Sequence, residues 1–301
     1  MNLPSCPSLE CSIPIHGPAT GLVIRSGYYR RKGPRRRPIQ RFRCKTCGTY
    51  FSSQTYARTY RQRRPDLNEK VRALLCSQVS QRRCARILGV SKNTVVRKFR
   101  FMAREAAIAN DARRDDLRKK PITRIQFDDL ITSVHTKCKP VSVSLAVEAN
   151  TREILAIAVS DIPARHPLRE VSLLKYGPRQ DERPLGLNRL FSAMSTIVDR
   201  RADILSDCDP EYPRHVLKHL NRANYRRVKA RKARWGGFGE LKRIGFDPLF
   251  SLNHTCAMLR ANMNRLARRT WCTTKTKIGL LLHLELYAHY HNTELISVAA
   301  V

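Results

Sequence analysis

The chain has 301 residues, of which 42% are hydrophobic, so it can form two or three small domains with packed cores and is not a disordered basic tail. Lys and Arg number 58 against 24 Asp and Glu, and this net charge of +34 favours a nucleic-acid partner over a merely soluble basic protein. No apolar run approaches the roughly 18 residues of a spanning helix, and the start lacks a signal-peptide pattern. We therefore expect no membrane partner and a cytoplasmic protein.

The first segment, residues 1–64, contains four of the ten cysteines as two close pairs: Cys6, Cys11, Cys44 and Cys47. Close pairs without an export signal favour a metal site in a reducing compartment over disulfides. Four thiolates in tetrahedral geometry suit structural zinc (Zn²⁺), so we expect a zinc ribbon. Free thiols in a small core are the alternative, and His16 is a candidate substitute ligand because the spacing of the first pair is unusual.

Two strands are predicted between the cysteine pairs, over residues 21–30 and 38–43, with a Gly/Pro/Arg turn at 33–37. Such a hairpin would bring the two pairs together, and Gly48 would let the chain turn back towards the metal. From Gly21 to Arg64 the sequence has 14 Lys and Arg and no Asp or Glu, and Tyr and Phe residues are interleaved with them. This composition is typical of a nucleic-acid surface.

The second segment, residues 65–112, has the pattern of a helix-turn-helix. Ser80 can cap one helix, Gly89 can end it, and Ser91 can cap the next. In such a motif the second helix lies in the major groove of double-stranded DNA, although a plain helical hairpin is the alternative. The predicted DNA-facing residues of this helix are Lys92, Asn93, Thr94, Arg97 and Arg100. The charged stretch 111–121 is either a linker or a helix end.

The third segment, residues 122–301, predicts a mixed α/β sheet with flanking helices. Strands are expected at 124–128, 141–147, 153–159, 204–207 and 250–254, and helices at 187–198, 213–224 and 255–269. The turn at 149–152 joins the second and third of these strands and predicts a hairpin. The basic stretch 222–234 is expected to contact the DNA backbone, with a solvated helix face as the alternative.

Two acidic residues, Asp128 and Asp207, lie at the ends of predicted strands and are 79 positions apart. Carboxylates at the ends of adjacent strands can share a site, and a hard divalent cation such as Mg²⁺ would neutralise them while holding phosphate oxygens. Two such ions support phosphodiester cleavage. The spacing alone leaves open the alternative that each Asp is an ordinary cap or turn residue.

Several motifs occur together in a specific order: Cys44 and Cys47, Leu88-Gly89-Val90-Ser91, Gln126-Phe127-Asp128-Asp129, Ile204-Leu205-Ser206-Asp207 with Tyr212, and His254-Thr255 leading into 264–270. In this order the chain resembles the zinc-ribbon DDE transposases of bacterial insertion sequences. The resemblance implies a ribonuclease-H-like catalytic domain, Mg²⁺ or Mn²⁺, and cleavage and strand transfer at element ends. It also implies that Asp128 and Asp207 are the first two catalytic acids, and that the protein acts as a homo-oligomer on DNA at the bacterial nucleoid.

The sequence departs from that family at its third acid, a Glu whose position falls on Leu259. Leucine cannot bind a metal, so full catalysis is in doubt. Asp129 is a neighbour of Asp128 that could substitute for it, and four residues elsewhere are candidate replacements for the third acid: Glu240, Asp247, His254 and Asn262. Three functional hypotheses follow: a transposase that is impaired if the acid is missing, a non-catalytic, domesticated DNA-binding regulator, and a plain nuclease without strand transfer.

Overall fold

The computed structural model describes residues 3–11, 22–30, 38–229, 247–267 and 271–296. They form two compact units, Met1–Asp66 and Leu67–Val301. The first contains a three-stranded antiparallel sheet, and the second a five-stranded mixed sheet flanked by helices. The predicted α/β class is confirmed at this level.

The first unit is built on strands β1 (Val23–Tyr29), β2 (Ile39–Cys44) and β3 (Tyr50–Ser52), in the order β1-β2-β3. The two predicted strands are confirmed, whereas β3 was not predicted. Its small hydrophobic core consists of three buried side chains from the three strands, with the half-buried Leu3 packed against them: Val23, Phe42 and Phe51. The predicted turn at 33–37 lies outside the described residues.

Three helices begin the second unit: α1 (Asn68–Leu75), α2 (Gln81–Ile87) and α3 (Lys92–Leu117). Because α3 continues to Leu117, the stretch 111–121 is a helix end followed by a short turn, and the next strand begins directly after it at Ile122. Val95 and Phe99 of α3 belong to the same hydrophobic core as residues of the large sheet and of the last helix. The helix-turn-helix region is therefore packed into the sheet unit.

The five-stranded sheet has the order β6-β5-β4-β7-β8. Its strands are β4 (Ile122–Ser133), β5 (Pro140–Glu148), β6 (Ile154–Asp161), β7 (Val198–Ser206) and β8 (Asn224–Arg227). The pairs β4/β5 and β5/β6 are antiparallel, whereas β4/β7 and β7/β8 are parallel. The predicted β5–β6 hairpin is confirmed. Strand β7 begins six residues earlier than predicted.

Helices cover both faces of this sheet: α4 (Arg169–Tyr176), α5 (Arg183–Met194), α6 (Tyr212–His219), α7 (Phe250–Asn262) and α8 (Lys277–Tyr290). Side chains of a strand alternate between faces, and this separates two cores. Val143 and Leu145 of β5 join a core with residues of α3, α7 and α8. Ala146 follows Leu145 and points to the opposite face, where it joins a second core with residues of α5 and α6.

The prediction of a last strand over 250–254 and a helix over 255–269 is wrong. A single helix, α7, runs from Phe250 to Asn262, and residues 268–269 lie outside the described residues. The buried residues of α7 recur with helical spacing at Leu252, Thr255 and Leu259. A short apolar run such as 249–252 is ambiguous between strand and helix until the following positions are considered, and these continue the helical period.

The ends of two other helices differ from the prediction: α5 spans Arg183–Met194 instead of 187–198, and α6 spans Tyr212–His219 instead of 213–224. A proline in the first turn of each, where its missing N–H costs nothing, starts both helices. None of the helices described here combines the length and apolar composition needed to cross a bilayer.

Candidate metal and DNA-binding sites

The four cysteines of the first unit converge on one point. Their sulfur atoms all lie within 4.8 Å of one another, with Cys6 and Cys47 Sγ 3.5 Å apart and Cys11 and Cys44 Sγ 3.7 Å apart. A tetrahedral ion bound at a metal–sulfur distance of about 2.3 Å requires sulfur–sulfur edges of about 3.8 Å. The cluster therefore has the donors and the spacing for a structural metal such as zinc. The candidate substitute ligand His16 lies outside the described residues.

The second cysteine pair lies on a tight turn that the backbone holds in place. The amide of Gly48 donates to the carbonyl of Cys44 (3.0 Å), and the amide of Cys44 donates to the carbonyl of Thr49 (3.0 Å). Gly48 has a φ of +72°, a left-handed conformation that side chains with a Cβ rarely adopt. The glycine predicted to turn the chain back has the conformation that this role requires.

The thiols differ in their electrostatic surroundings. Burial raises the pKa of Cys6 to about 12, whereas hydrogen bonds with the side chain and backbone of Thr49 lower the pKa of Cys47 to about 6. Zinc binds thiolates, and a bound divalent cation deprotonates its thiol ligands outright. A bound cation would therefore stabilise the thiolate form of Cys6, which burial alone disfavours.

Helices α2 and α3 begin and end as the sequence predicted. Ser80 Oγ accepts a hydrogen bond from the amide of Arg83 (3.4 Å), and Ser91 Oγ accepts one from the amide of Thr94 (3.2 Å). Gly89 lies between the helices with a φ of +62°. Two capped helices joined by a left-handed glycine have the local geometry of a helix-turn-helix.

The two faces of α3 differ in burial. Val95, Phe99 and Met102 are buried in the core. Four of the five residues predicted to face DNA are exposed along the other side: Lys92, Asn93, Arg97 and Arg100. Thr94 is half-buried, and its hydroxyl oxygen lies 3.0 Å from Ser91 Oγ. The structure thus places Thr94 in the cap of the helix and the other four residues on its exposed face.

Asp128 and Asp207 lie at the same level of neighbouring parallel strands. The last register pair of β4 and β7 joins Gln126 to Leu205, and each aspartate lies two residues beyond it. The prediction that Asp128 ends its strand is wrong, because β4 continues to Ser133 alongside β5. Since β7 ends at Ser206, β4 extends past it, and Asp207 follows the end of β7 close enough for its charge to act on Asp128.

Asp128 is held by hydrogen bonds in a costly electrostatic position. The hydroxyl of Tyr212 donates to its Oδ1 (3.0 Å), as does the amide of Asp129 (2.6 Å). Burial, together with the negative charges of Asp207 and Asp129, raises the pKa of Asp128 to about 6 in spite of these bonds. A carboxylate pair that repels itself in this way is chemically suited to a divalent cation.

An arginine that sequence reasoning missed lies beside the carboxylates. Arg183, at the start of α5, forms ion pairs with Asp129 through Nε and with Asp209 through Nη2 (2.8 Å), and its guanidinium carbon lies 5.2 Å from the ring centroid of Tyr212. These acids raise the pKa of Arg183, although its burial alone would lower it. The side chain of Asp129 is only 5% exposed, and its charge is balanced by Arg183. Among the described residues, no cationic side chain forms an ion pair with its chain neighbour Asp128.

Helix α7 is attached to β4 through the buried Gln126, which donates to the carbonyl of Pro248 (2.9 Å) and accepts from the amide of Leu252 (2.9 Å). One helical turn beyond Leu252 lies Cys256, and burial and the charge of Asp128 raise the pKa of its thiol to about 12. Leu259, which was matched to the family's third acid, is fully buried in the apolar core. Cys256 is therefore an α7 residue whose thiol feels the charge of Asp128.

The candidate replacements for the third acid have other contacts. Asp247 accepts from the amide of Leu249 (3.0 Å) and from Asn253 (2.8 Å) at the start of α7. His254 lies 3.4 Å from Arg152, and Asn262 donates to the hydroxyl of Tyr287 (2.9 Å). Glu240 lies outside the described residues. Within the described ranges, the cysteine cluster is the group of three or more metal-ligating His, Cys, Asp or Glu side chains.

The predicted basic stretch 222–234 is described as far as residue 229. Its structured part is the edge strand β8, where Arg226 and Arg227 are exposed. Strand β8 is parallel to β7, the strand that leads into Asp207, and Arg226 pairs with Leu205 in register. Positive charge therefore lines the sheet edge next to the carboxylates.

No protein-family model matches the chain, and no curated protein matches it either.

Proposed function

We propose that the protein binds double-stranded DNA through α2 and α3, with the N-terminal part of α3 in the major groove. The observation that carries this proposal is the exposed polar row of α3, Lys92, Asn93, Arg97 and Arg100, which backs onto a fully buried apolar row. Ser91 and Gly89 start this helix at a defined point, so its first turn is presented in one orientation. The net charge of +34 supplies the attraction to phosphate.

Within this helix the residues have different roles. Asn93 and Arg97 are the base-reading residues, because Asn and Arg can form bidentate hydrogen bonds with adenine and guanine edges. Lys92 and Arg100 contact phosphates, which fixes register without reading sequence.

The test is selection of duplexes from a random library by the full-length protein, followed by binding measurements on the enriched sequence and on a scrambled duplex. Asn93→Ala and Arg97→Ala should each lose about 1–3 kcal/mol of discrimination, whereas Arg100→Ala should weaken both duplexes alike. Arg118→Ala is the matched control, since Arg118 is an exposed arginine beyond the other end of the same helix. Unchanged specificity in both base-reading variants would show that another surface reads the DNA.

We also propose that the carboxylate pair Asp128 and Asp207 binds Mg²⁺ or Mn²⁺ for phosphodiester cleavage and strand transfer, as the resemblance to DDE transposases implies. The supporting observation is that two acids 79 positions apart lie side by side on adjacent strands of a mixed sheet with flanking helices, the kind of sheet found in ribonuclease-H-like domains. Their mutual repulsion and the basic edge of β8 suit a cation and a phosphate backbone. Bound cations would activate water and stabilise the leaving oxygen.

In this proposal the site is weak, because its α7 neighbour is Cys256 and not a carboxylate. Mg²⁺ prefers oxygen ligands, and two carboxylates compensate its charge less well than three. Cleavage is therefore slow. If cleavage is absent while duplex binding is retained, the protein functions as a non-catalytic DNA-binding regulator.

Cleavage is tested with the selected duplex, Mg²⁺ or Mn²⁺, and gel analysis of the strands. Slow wild-type cleavage that Asp128→Asn and Asp207→Asn each abolish would support the site, with Asp199→Asn at the other end of β7 as the control. Retained duplex binding without any cleavage would support the alternative function as a non-catalytic regulator. Cleavage that both aspartate variants leave intact would exclude these residues as its catalytic acids.

A further inference from the structure

One face of the three-stranded sheet in the first unit is exposed and carries aromatic and cationic side chains. Along β2, Phe42 and Cys44 are buried, whereas the alternating Arg41 and Arg43 are exposed. The register pairs Arg43 with Tyr50 of β3 and with Ile24 of β1, and it pairs Arg41 with Ser52. Paired residues of an antiparallel sheet lie on the same side, so these residues share one surface, which we call the outer face.

Tyr50 belongs to the outer face and lies on the edge strand β3. Its side chain is 54% exposed, although it is flanked on β2 by two arginines whose guanidinium carbons lie 5.6 Å (Arg41) and 5.5 Å (Arg43) from its ring centroid. Such contacts hold the long arginine side chains along the ring and reduce the entropy that they lose on binding. The result is an ordered patch of flat π surface and positive charge.

A second tyrosine extends the outer face towards the end of β1. Tyr29 is 38% exposed, and its hydroxyl lies 3.5 Å from the hydroxyl of Ser52. Together with Tyr28, Arg30 and Pro38 it lines a shallow cleft of about 290 Å³. The outer face thus offers an exposed ring on β3 and another on β1, with Arg41 on the strand between them.

The charge of this region identifies the class of partner. The sequence from Gly21 to Arg64 contains 14 Lys and Arg and no acidic residue, which favours a polyanion over an acidic-and-basic protein surface. A duplex hides the faces of its bases within the stack, so it can use the arginines but not the tyrosine rings. Unpaired bases expose their faces and stack on aromatic side chains and guanidinium planes.

We propose that the outer face binds single-stranded DNA, with unpaired bases stacked on Tyr50 and Tyr29 and the backbone held by Arg41 and Arg43. This binding is separate from the duplex recognition proposed for α3 and does not depend on it. It would give the protein affinity for frayed or opened ends of the DNA on which it acts.

The experiment measures binding of fluorescein-labelled single strands to the full-length, zinc-loaded protein. A dT 12-mer is compared with an abasic 12-mer, which has the same phosphates but no bases. Stacking on two rings predicts about 100-fold weaker binding of the abasic strand, since each stacked base contributes about tenfold to affinity. Equal affinity for the two strands would overturn the proposal, because the interaction would then be with the backbone alone.

Variants locate the effect on the outer face. Tyr50→Ser should weaken dT 12-mer binding about tenfold and leave the abasic strand unaffected, whereas Tyr50→Phe should bind like wild type. Tyr60→Ser is the matched control. Tyr60 is exposed to a similar extent (44%), and the guanidinium carbon of Arg61 lies 5.3 Å from its ring centroid, but it is outside the sheet. Equal loss in the Tyr50→Ser and Tyr60→Ser variants would overturn the assignment to the outer face. Zinc content confirms that each variant retains its fold.

A direct measurement avoids dependence on variants. A dT 12-mer with one 5-iodouracil is irradiated in complex with the wild-type protein, and the crosslinked peptide is identified by mass spectrometry. Crosslinks to Tyr50 or Tyr29 would support the proposal, and crosslinks confined to residues of Leu67–Val301 would overturn it. The specificity changes expected of Asn93→Ala and Arg97→Ala are measured on duplexes, so failure of one proposal is distinguishable from failure of the other.

Discussion

At the scale of single residues, Asp128 combines favourable hydrogen bonds with an unfavourable charge. Tyr212 and the amide of Asp129 both donate to it, yet burial and its neighbours raise its pKa from the ordinary value of 3.8 to about 6. A raised carboxyl pKa means that the folded protein binds more protons than the unfolded chain between these two pH values. The free energy of unfolding therefore falls as pH rises from about 4 to about 6.

This predicts a pH-dependent effect of Asp128→Asn. Asparagine keeps an oxygen acceptor for Tyr212 but removes the charge, so the metal-free variant should be more stable than wild type at pH 7.5. The difference between 3.8 and about 6 sets an upper limit of about 3 kcal/mol, and at pH 4 the gain should disappear. Urea unfolding at both pH values measures it. An equal gain at pH 4 would contradict the electrostatic explanation.

A suitable control for that measurement is Asp115→Asn. Asp115 forms an ion pair with Arg118 at the surface, where its side chain is 64% exposed. Surface pairs contribute little to stability, so this substitution should change the free energy of unfolding by less than about 1 kcal/mol.

Cys256 and Leu259 of α7 should respond differently to an added acid. Cys256→Asp places a carboxylate where the charge of Asp128 is felt, and we expect the affinity for Mn²⁺ to rise by about tenfold. Leu259→Asp buries a charge in an apolar core and should destabilise the protein by more than about 3 kcal/mol without improving metal binding. Calorimetric titration with Mn²⁺ and urea unfolding of both variants test this. Tighter metal binding by the Leu259→Asp variant would contradict this expectation and would support position 259 as that of the family's third acid.

At the scale of elements, the turn between α2 and α3 depends on one backbone conformation. Gly89 has a φ of +62°, and a Cβ built there would meet no other atom within 4 Å. Gly89→Ala should therefore cost about 1–2 kcal/mol from backbone strain alone. Gly89→Asn should cost less, because asparagine tolerates the left-handed region. Chemical unfolding compares the two variants, and equal losses would point to a packing effect instead of strain.

The elements also show which parts of the fold can be read from local sequence. Caps and turn glycines act within a few residues, so α2, the turn and the start of α3 could be predicted from Ser80, Gly89 and Ser91. The run 250–254 was assigned to a strand because its apolar residues fit either period. What decides its structure is the bond between Gln126 and Leu252, which are 126 positions apart. Such a contact leaves no local pattern.

The same distinction applies to the candidate sites. The second cysteine pair and its glycine are adjacent in sequence, so a local pattern is enough to indicate a metal site. Arg183 could not be found in this way, because its partners Asp129 and Asp209 are 54 and 26 positions away and an isolated Arg-Pro has no motif. The apolar surroundings of Leu259, the position that corresponds to the family's third acid, are likewise formed by distant segments and leave no local pattern.

At the scale of the whole molecule, the two units have different sources of stability. Leu67–Val301 contains two hydrophobic cores that pack against the faces of one sheet. Met1–Asp66 has a core of three buried strand residues and a separate cluster of cysteines. A core of that size offsets little of the conformational entropy of the unit, so we expect the first unit to need a bound metal in order to fold.

Zinc removal should consequently unfold Met1–Asp66 and leave Leu67–Val301 folded. Without the metal, the clustered thiolates of the first unit lose the cation that holds them together, whereas the second unit has no such requirement within its described residues. Hydrogen exchange after treatment with a strong zinc chelator should show lost amide protection in β1, β2 and β3 and unchanged protection in β4, β5 and α8. The Cys44→Ser/Cys47→Ser variant should behave like chelated wild type. Cys208→Ser, which removes an exposed cysteine outside the cluster, should keep its metal. If protection disappears from both units together, the first unit is not independently metal-dependent, and the zinc site stabilises the whole chain.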